Sequence, residues 1–260
     1  MPLPPPFEAR LVAARALTPS VRELTFERVD GEAMRFEPGQ WVNTLLPVAT
    51  PEGLVKRSYS IASAPGASPR FDVAVTRVVG GPGSTFLHEI GLGTTLPFLG
   101  PQGFFTRPSL GGPASLFVAT GTGLTPMRSM LRAALAAGST TPMWILLGVR
   151  HEQDLLYADE LREAAAAHSF VRFEPTLSQP GPGWSGRKGY VQAHVRELWQ
   201  ELATLIGSPN AGDGRALDAD PPGPPHAYIC GLERMVGSVR ELLRKDLGLP
   251  RQQVHGERYD

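Results

Sequence analysis

At 260 residues, with 42% hydrophobic and 19% charged residues, the chain has the composition of a globular protein and room for two domains. Its 25 basic and 25 acidic side chains balance, which argues against a nucleic-acid-binding protein. The single cysteine, Cys230, allows no intrachain disulfide and cannot by itself hold an iron–sulfur cluster. The 6 histidines show no paired ligand spacing, so no metal site is predicted.

The beginning of the chain has neither the apolar core nor the cleavage pattern of a signal peptide, and no apolar run reaches the length of a membrane span. We therefore expect a soluble cytoplasmic protein without a nucleic-acid or membrane partner. We expect it to act as a monomer.

Residues 1–108 are predicted to form an antiparallel β-barrel. Short segments that alternate apolar and polar residues follow one another closely, and turn signals such as Pro38-Gly39 separate them. A helix is predicted to begin at Pro82, with hydroxyl residues in its first turn. The predicted strands are Phe7–Ala16, Val21–Arg28, Gln40–Pro47, Lys56–Ser63 and Arg70–Val79.

After a Gly/Pro-containing linker at 109–113, residues 114–260 alternate strands with helices. This pattern predicts a Rossmann-like α/β domain with a parallel sheet covered by helices on both faces. Residues 207–226, rich in Pro, Gly and Asp, are predicted to form a loop. The predicted strands are Ser115–Ala119, Met143–Val149, Phe170–Leu177 and Ala227–Cys230, and the predicted helices are Pro126–Ala137, Asp154–Ala167, Tyr190–Ile206 and Glu233–Leu247.

Two motifs in the first domain have the chemistry of cofactor binding. Arg57 and Tyr59 project from one face of a strand, so a guanidinium that can grip a pyrophosphate lies beside a phenol that can stack on a flat ring. Ser60 can offer its hydroxyl to a ring nitrogen. Gly83-Ser84-Thr85 opens a helix, whose free N–H groups and positive dipole end suit a phosphate. The alternatives are a barrel strand with an exposed arginine and a packed tyrosine, and a plain helix cap.

Two motifs in the second domain lie at the carboxyl ends of predicted strands, the edge at which α/β sheets bind ligands. Gly121–Pro126 (GTGLTP) opens a helix, and its glycines let the backbone approach a pyrophosphate closely. Cys230-Gly231 follows a later strand. The alternatives are a simple strand–helix turn and a cysteine packed in the core. No neighbouring His or Lys on the strand lowers the thiol pKa, so a non-covalent contact with a nicotinamide fits better than a nucleophile.

Taken in order, the segments RSYSIAS, GPGST, GTGLTP, ICGLERMV and the ending Glu257-Arg258-Tyr259 resemble those of the ferredoxin–NADP reductase family. The resemblance covers nearly the whole chain and implies an FAD-binding barrel over 1–108 and an NAD(P)-binding domain over 114–260. It implies Ser60, Cys230 and Glu257 as catalytic residues. The implied FAD-binding residues are Arg57, Ser58, Tyr59, Ser60, Gly83, Ser84, Thr85 and Tyr259, and the implied NAD(P)-binding residues are Gly121, Thr122, Gly123, Pro126, Arg150, Ser178, Arg187, Cys230 and Gly231.

The choice between NADPH and NADH depends on the residues that meet the 2′ position of the adenosine ribose. A 2′-phosphate needs Arg or Lys, whereas a free 2′-hydroxyl is met by an acidic residue. Arg150 and the pair Arg187-Lys188 follow the pattern of NADP-preferring bacterial relatives, whereas Gln179 departs from it. The balance favours NADPH and leaves NADH open.

The resemblance implies hydride transfer from NADPH to flavin N5 and single-electron output to a ferredoxin or flavodoxin. Two alternatives remain. The first is an NADH-dependent reductase component of an oxygenase system, which commonly carries a fused ferredoxin domain that this chain has neither the length nor the cysteines to hold. The second is a non-catalytic nucleotide-sensing or assembly subunit, against which the intact Arg57, Tyr59, Ser60 and Cys230 argue.

Overall fold

The structure, a computed structural model, describes residues 5–50, 53–207 and 223–259. The chain divides into two compact units, Met1–Pro108 with Thr125–Ala133, and Ser109–Leu124 with Ala134–Asp260. The division from the sequence placed all of 114–260 in the second domain, whereas the helical segment Thr125–Ala133 clusters with the first unit.

The first unit is built on a six-stranded antiparallel sheet with the strand order β4-β3-β6-β1-β2-β5. Ile61, which follows β4, bridges Val73 of β5, and the Ala62 N–H donates to the Asp72 carbonyl at 2.8 Å, so the two outer strands meet at this point. The predicted antiparallel class is confirmed. The elements are β1 (Phe7–Thr18), β2 (Val21–Arg28), β3 (Trp41–Thr50), β4 (Gly53–Ser60), β5 (Arg70–Thr76), α1 (Pro82–Glu89) and β6 (Thr95–Gln102).

Four phenylalanine rings form the centre of the first unit's core. Phe7, Phe26, Phe71 and Phe98 are buried, and their ring centroids lie 5.0 to 6.1 Å apart, mostly edge to face. They come from four strands, because the period of two in each strand turns alternate residues to one face. The alternation that the sequence shows is therefore what builds this core.

Strand β6 was not predicted, although it lies between β3 and β1 in the sheet. Its sequence TLPFLGPQ contains Pro97 and Pro101, which lack the N–H group that a strand donates to its neighbour. The side chains of Leu96 and Phe98 are nevertheless buried in alternation with exposed neighbours. Burial on one face outweighs the missing donors here.

The second unit is a six-stranded sheet, all of whose strand pairs are parallel, with the order β10-β9-β8-β7-β11-β12. Helices α4 and α5 pack on it through buried residues such as Val195, Leu198 and Val239. The predicted parallel α/β class is confirmed. The elements are β7 (Ser115–Thr120), α2 (Leu124–Ala136), β8 (Met143–Val149), α3 (Ala158–Ala167), β9 (Val171–Leu177), β10 (Arg187–Lys188), α4 (Gln192–Gly207), β11 (His226–Leu232), α5 (Glu233–Glu241) and β12 (Val254–Tyr259).

The end of the chain differs from the prediction. The α-helical part of α5 ends at Glu241, and the chain stays helical in a wider, π-helical turn over Leu242–Asp246. The last residues form strand β12, which was not predicted and which pairs in parallel with β11. The sequence of β12, VHGERY, is too polar and too short for its strand character to be read locally. The predicted loop at 207–226 lies mostly outside the described residues.

Two histidines pair where β11 and β12 begin, and we expect them to make stability depend on pH. His226 Nδ1 lies 3.0 Å from His255 Nε2, and the His255 ring stacks on the buried Tyr228. Burial, and then the charge of His226, lower the pKa of His255 below its ordinary 6.5. The unfolded chain therefore binds a proton more readily, so stability is full above pH 6.5 and falls as pH drops through the unfolded pKa towards the folded one.

Urea unfolding at a series of pH values measures this effect. The variant His255→Gln cannot titrate at this position and should show a flatter stability profile than the wild type below pH 6.5. Parallel profiles for the two proteins would contradict the prediction.

Candidate flavin and nicotinamide nucleotide sites

The predicted flavin-binding side chains of strand β4 become less exposed to solvent from Arg57 to Ser60. The Arg57 guanidinium is exposed, the Tyr59 ring is half-buried and Ser60 is buried. Burial raises the pKa of Tyr59 to about 12, against the opposing effect of the Arg57 charge. The phenol therefore stays neutral at physiological pH, as a ring that stacks on a planar cofactor should.

Two other predicted FAD-binding side chains form hydrogen bonds inside the protein. The Ser58 hydroxyl donates to Asn43 Oδ1 at 2.7 Å. The Ser84 hydroxyl is buried and donates to the Gly81 carbonyl at 3.1 Å, while it accepts from the Val78 N–H at 3.0 Å. The Ser84 side chain therefore shapes the loop before α1, and its backbone N–H is the group left for a phosphate.

The start of α1 leaves two amides without a helical acceptor. The first helical hydrogen bond runs from the Thr85 N–H to the Gly81 carbonyl at 3.0 Å. Pro82, at the first helical position, has no N–H, and the helix offers no acceptor to the N–H groups of Gly83 and Ser84. These two amides and the positive end of the helix dipole form an anion-binding end.

Gly83 lies against the side chain of Arg57. A Cβ at Gly83 would lie 3.3 Å from Arg57 Cγ and 3.0 Å from Val55 Cγ1, so the site has no room for a side chain. The structure thus brings together the two elements that the sequence assigned to phosphate. An exposed guanidinium and two amides without a helical acceptor are groups that can bind a phosphate or pyrophosphate.

In the second unit, the backbones of the two predicted nicotinamide motifs touch. A Cβ at Gly123 would overlap the Cys230 carbonyl and lie 2.8 Å from the Gly231 nitrogen. Gly231 has φ +142°, and a Cβ there would overlap Thr120 Oγ1. The Thr120 hydroxyl also accepts from the Leu232 N–H at 3.3 Å. Only glycine fits at positions 123 and 231, because each lies against backbone or a neighbouring hydroxyl.

Cys230 lies beside the last residues of the chain. It is buried and is the register partner of Glu257 across β11 and β12. Burial, and then the Glu257 charge, raise the pKa of the thiol, while a hydrogen bond with the Tyr259 side chain acts in the opposite direction. Cys230 is therefore a neutral thiol, and the structure brings together Cys230, Glu257 and Tyr259.

The rest of the GTGLTP segment forms the turn into α2. Thr122 is half-buried in a 3-10 turn at Gly121–Gly123, where Gly121 has φ +52°. Helix α2 begins at Leu124, two positions before the Pro126 at which the sequence predicted its start. Pro126 is buried in the first turn, where a proline costs no helical hydrogen bond.

The loops after β8 and β9 are tied together at the carboxyl edge of the sheet. The Gln179 N–H donates to the Arg150 carbonyl at 2.9 Å, and the Ser178 N–H donates to the Val149 carbonyl at 3.0 Å. The Arg150 side chain is exposed, and no ion-pair or hydrogen-bond partner for its guanidinium occurs in the described part of the chain. Arg150 and Ser178 are thus neighbours at an open edge.

Arg187 is already paired. Its Nε donates to Glu174 at 2.8 Å, and its two Nη atoms donate to Glu197 at 2.8 and 2.9 Å. The bonds to Glu197 are the main cause of a raised Arg187 pKa. The next residue, Lys188, has an exposed side chain and lies beside Leu177, the residue before Ser178. Lys188 is therefore the more available cation of the pair.

Sequence reasoning missed two residues at this sheet edge. Thr120 supports Gly231 as described, and Tyr190 has 74% of its surface exposed just after β10. The sequence shows an aromatic residue directly after Arg187-Lys188-Gly189, but it does not show that the ring is exposed. Thr120 carried no local signal, because its role depends on Gly231, far along the chain.

The described residues show neither a metal cluster nor a membrane-spanning helix. They contain no group of three or more His, Cys, Asp or Glu side chains that could hold a metal ion. None of the helices formed by residues 5–50, 53–207 and 223–259 is long and apolar enough to cross a membrane.

Comparisons with known proteins follow the same division. The family described as "Oxidoreductase FAD-binding domain" matches residues 8–106, and the family described as "Oxidoreductase NAD-binding domain" matches residues 117–241. A ferredoxin–NADP+ reductase from Neisseria gonorrhoeae, solved with bound FAD and NADP, has the same fold, with a TM-score of 0.75 at 20% identity over 97% of this chain and 98% of that chain.

Two curated relatives narrow the family. The phenol 2-monooxygenase reductase component DmpP of Pseudomonas is 30% identical over 86% of this chain, which spans only 57% of that protein. Ferredoxin–NADP reductase B of Sorangium cellulosum is 59% identical over 256 residues, 98% of this chain and 98% of that protein. With both domain families matched in order and this identity over almost the whole length, the chain belongs to the ferredoxin–NADP reductase family.

Proposed function

We propose that the protein is an FAD-dependent reductase that oxidises NADPH and supplies single electrons to a ferredoxin or flavodoxin. The observation that carries the proposal is the backbone contact between Gly123 and Cys230-Gly231, with Glu257 and Tyr259 beside the thiol. The 59% sequence identity with ferredoxin–NADP reductase B of Sorangium cellulosum supports the proposal. We propose that it works as a cytoplasmic monomer.

FAD, when bound, supplies a two-electron acceptor that can release electrons singly. We propose that it is held by residues 1–108, with the Arg57 guanidinium and the amides of Gly83 and Ser84 on its pyrophosphate and Thr85 beside them. Tyr59 stacks on the ring system, and the Ser60 hydroxyl hydrogen-bonds to it near N5. Ser58, whose hydroxyl is bonded to Asn43, supports the strand from its other face.

The nucleotide is proposed to bind residues 114–260, with its pyrophosphate against the backbone of Gly121–Gly123. Pro126 lies in the first turn of α2, where its missing N–H group costs no helical hydrogen bond. Cys230 and Gly231 contact the nicotinamide, and a neutral, desolvated thiol suits a neutral ring better than a thiolate does. Glu257 would orient the carboxamide, and Tyr259 would contact the FAD.

For the coenzyme, we propose that Arg150, Ser178 and Lys188 meet the 2′-phosphate, and that Arg187 holds Lys188 in place through Glu174 and Glu197. The double variant Arg150→Ala/Lys188→Ala should raise KM for NADPH by about a hundredfold, since each charge-assisted hydrogen bond is worth about tenfold. KM for NADH should change by less than about twofold, because a 2′-hydroxyl gains little from either cation.

Steady-state kinetics with both coenzymes measure this difference. Arg162→Ala, which removes an exposed arginine of α3 that is paired only with Asp159 among the described residues, is the matched control and should change neither KM. An equal rise in both KM values would contradict the proposal.

An anaerobic titration tests the function as a whole. The purified protein reconstituted with FAD should lose its visible flavin absorbance on addition of NADPH, and should then reduce an added ferredoxin or flavodoxin. A protein that binds no flavin, or binds it without bleaching, would favour the nucleotide-sensing subunit instead.

The similarity to the reductase component DmpP supports a second candidate function, that of a reductase that serves an oxygenase. Reconstitution with ferredoxins of biosynthetic and of oxygenase type, each with NADPH and NADH, separates the two. Turnover with NADH and an oxygenase ferredoxin alone would favour the second candidate.

A further inference from the structure

One arginine side chain holds the C-terminal end of helix α1. Arg22 lies on β2, and its Nη1 lies within hydrogen-bond distance of three carbonyls, those of Leu87 (3.1 Å), His88 (2.8 Å) and Ile90 (3.1 Å). The end of a helix leaves such carbonyls without an intrahelical donor. A cation here also opposes the partial negative charge of the helix dipole. Arg22 thus satisfies the last turn of α1.

A second bond fastens the same turn. His88 Nε2 lies 2.9 Å from the Val75 carbonyl, and Val75 is the register partner of Arg22 across β2 and β5. At the other end of the helix, the Ser84 hydroxyl bonds to the Val78–Gly81 loop. Helix α1 has 8 residues, so its two ends are about 12 Å apart.

The phosphate-binding groups of the first unit are mounted on two separate elements. Arg57 is carried by β4, whereas the free amides of Gly83 and Ser84 are carried by α1. A pyrophosphate that bonds to both needs them at a constant separation. The hydrogen bonds of Arg22 join the C-terminal end of α1 to β2, an interior strand of the sheet, away from the phosphate.

We propose that Arg22 is a positioning residue for the FAD pyrophosphate, acting through helix α1. In this proposal Arg22 does not touch the cofactor; it holds in position the helix whose first amides bind the pyrophosphate. The inference rests on the proposed function, because it requires FAD at the start of α1. It assigns a cofactor-binding role to a residue at the opposite end of the helix.

The test compares the FAD dissociation constants of apo-proteins, measured by quenching of FAD fluorescence. Arg22→Met keeps the aliphatic stem and removes the donors and the charge, and should weaken FAD binding by about tenfold. Arg22→Lys keeps a charged donor near the carbonyls and should bind FAD within about threefold of the wild type. Arg77→Gln is the matched control, because the exposed Arg77 side chain bonds only the Glu89 side chain of α1 among the described residues, at 3.3 Å. It should bind FAD as the wild type does.

The melting temperature of each apo-protein separates positioning from general stability. We expect FAD affinity to be restored by lysine even where the melting temperature is not. FAD binding by Arg22→Met within twofold of the wild type, or a loss that lysine does not restore, would overturn the inference. If Arg22→Met fails to fold, Arg22→Lys decides alone. An FAD dissociation constant less than threefold above the wild-type value supports the role, and one more than tenfold above it opposes the role. A wild-type protein that binds no FAD would overturn the proposed function first, and this inference with it.

Discussion

Replacement of Gly123 with alanine is expected to slow flavin reduction by NADPH by about a hundredfold, the effect of a displacement of ~1 Å at a reacting centre. A Cβ at this position would lie 2.5 Å from the Cys230 carbonyl carbon and 2.8 Å from the Gly231 nitrogen. Both are backbone atoms of β11, held in parallel pairing on both sides. They cannot rotate away as the end of a side chain can, so the loop Gly121–Gly123 must move.

Anaerobic stopped-flow absorbance measures the rate, and the flavin content of the purified variant shows whether FAD is retained. FAD content should match the wild type, because the residues proposed to hold the FAD pyrophosphate lie on β4 and α1, and the clash at Gly123 involves neither element. Gly237→Ala is the control. It lies in α5, where a Cβ meets nothing within 4 Å, and alanine there should be neutral or mildly stabilising. Reduction of Gly123→Ala at the wild-type rate would remove the loop contact from the proposed mechanism.

The second large effect is expected at Arg128, in the part of α2 that clusters with the first unit. Only 3% of its side chain is exposed, and its Nη1 donates to the Ala62 carbonyl at 2.8 Å. The same nitrogen lies 3.8 Å from Glu23 Oε1 and 3.8 Å from Asp72 Oδ2. Arg128→Met should lower the free energy of unfolding by about 3–5 kcal/mol, because it leaves carboxylates in the interior without this cation.

The pH dependence of this loss has a definite sign. Burial raises the pKa of Asp72, and the Glu23 charge adds to this effect. The Thr25 hydroxyl bond and the charges of Arg128 and, to a smaller extent, Arg132 act in the opposite direction. Without Arg128 the folded protein should bind a proton at Asp72 more readily. Stability that depends on such a proton is present at low pH and is lost as pH rises. The difference in the free energy of unfolding between Arg128→Met and the wild type should therefore become smaller as the pH is lowered.

Urea unfolding curves measure the loss, and Arg132→Met supplies the control. Arg132 lies on the same helix and is exposed, so its replacement should change stability by no more than about 0.5 kcal/mol. The triple variant Arg128→Met/Glu23→Gln/Asp72→Asn should recover part of the loss, because it removes the carboxylates that Arg128 faces. Equal stability of the Arg128 and Arg132 variants would show that the cluster is not held by this cation.

The motifs could be found from the sequence because their requirements are local. Arg57 and Tyr59 share a face through the period of a strand, and Gly121–Gly123 opens a helix through the absence of side chains. The two sheet classes follow from hydrophobic patterns of different period, and both are confirmed. The division at 109–113 was a boundary in sequence, whereas the helical segment Thr125–Ala133 joined the first unit by packing.

The hydrogen-bond and ion-pair partners of a side chain could not be predicted from the sequence. Arg187 reads as an open cation until Glu174 and Glu197 are seen to take its donors. Ser84 reads as a phosphate ligand until its hydroxyl is found bonded to the loop behind it. The partners of Arg187 lie outside its motif, whereas Ser84 bonds Gly81 within its own motif and Val78 just before it.

The amino-acid order alone was enough to predict the two sheet classes, because hydrophobic periodicity acts over a few neighbouring positions. The cofactors followed from motifs that resemble those of the ferredoxin–NADP reductase family, to which the chain belongs. Tertiary structure alone decided that β6 and β12 join their sheets and that Gly123 meets Cys230. It also decided which cations stay open to a ligand. These outcomes depend on pairing between segments far apart in the chain, where burial and hydrogen bonding outweigh the local preference of any one segment.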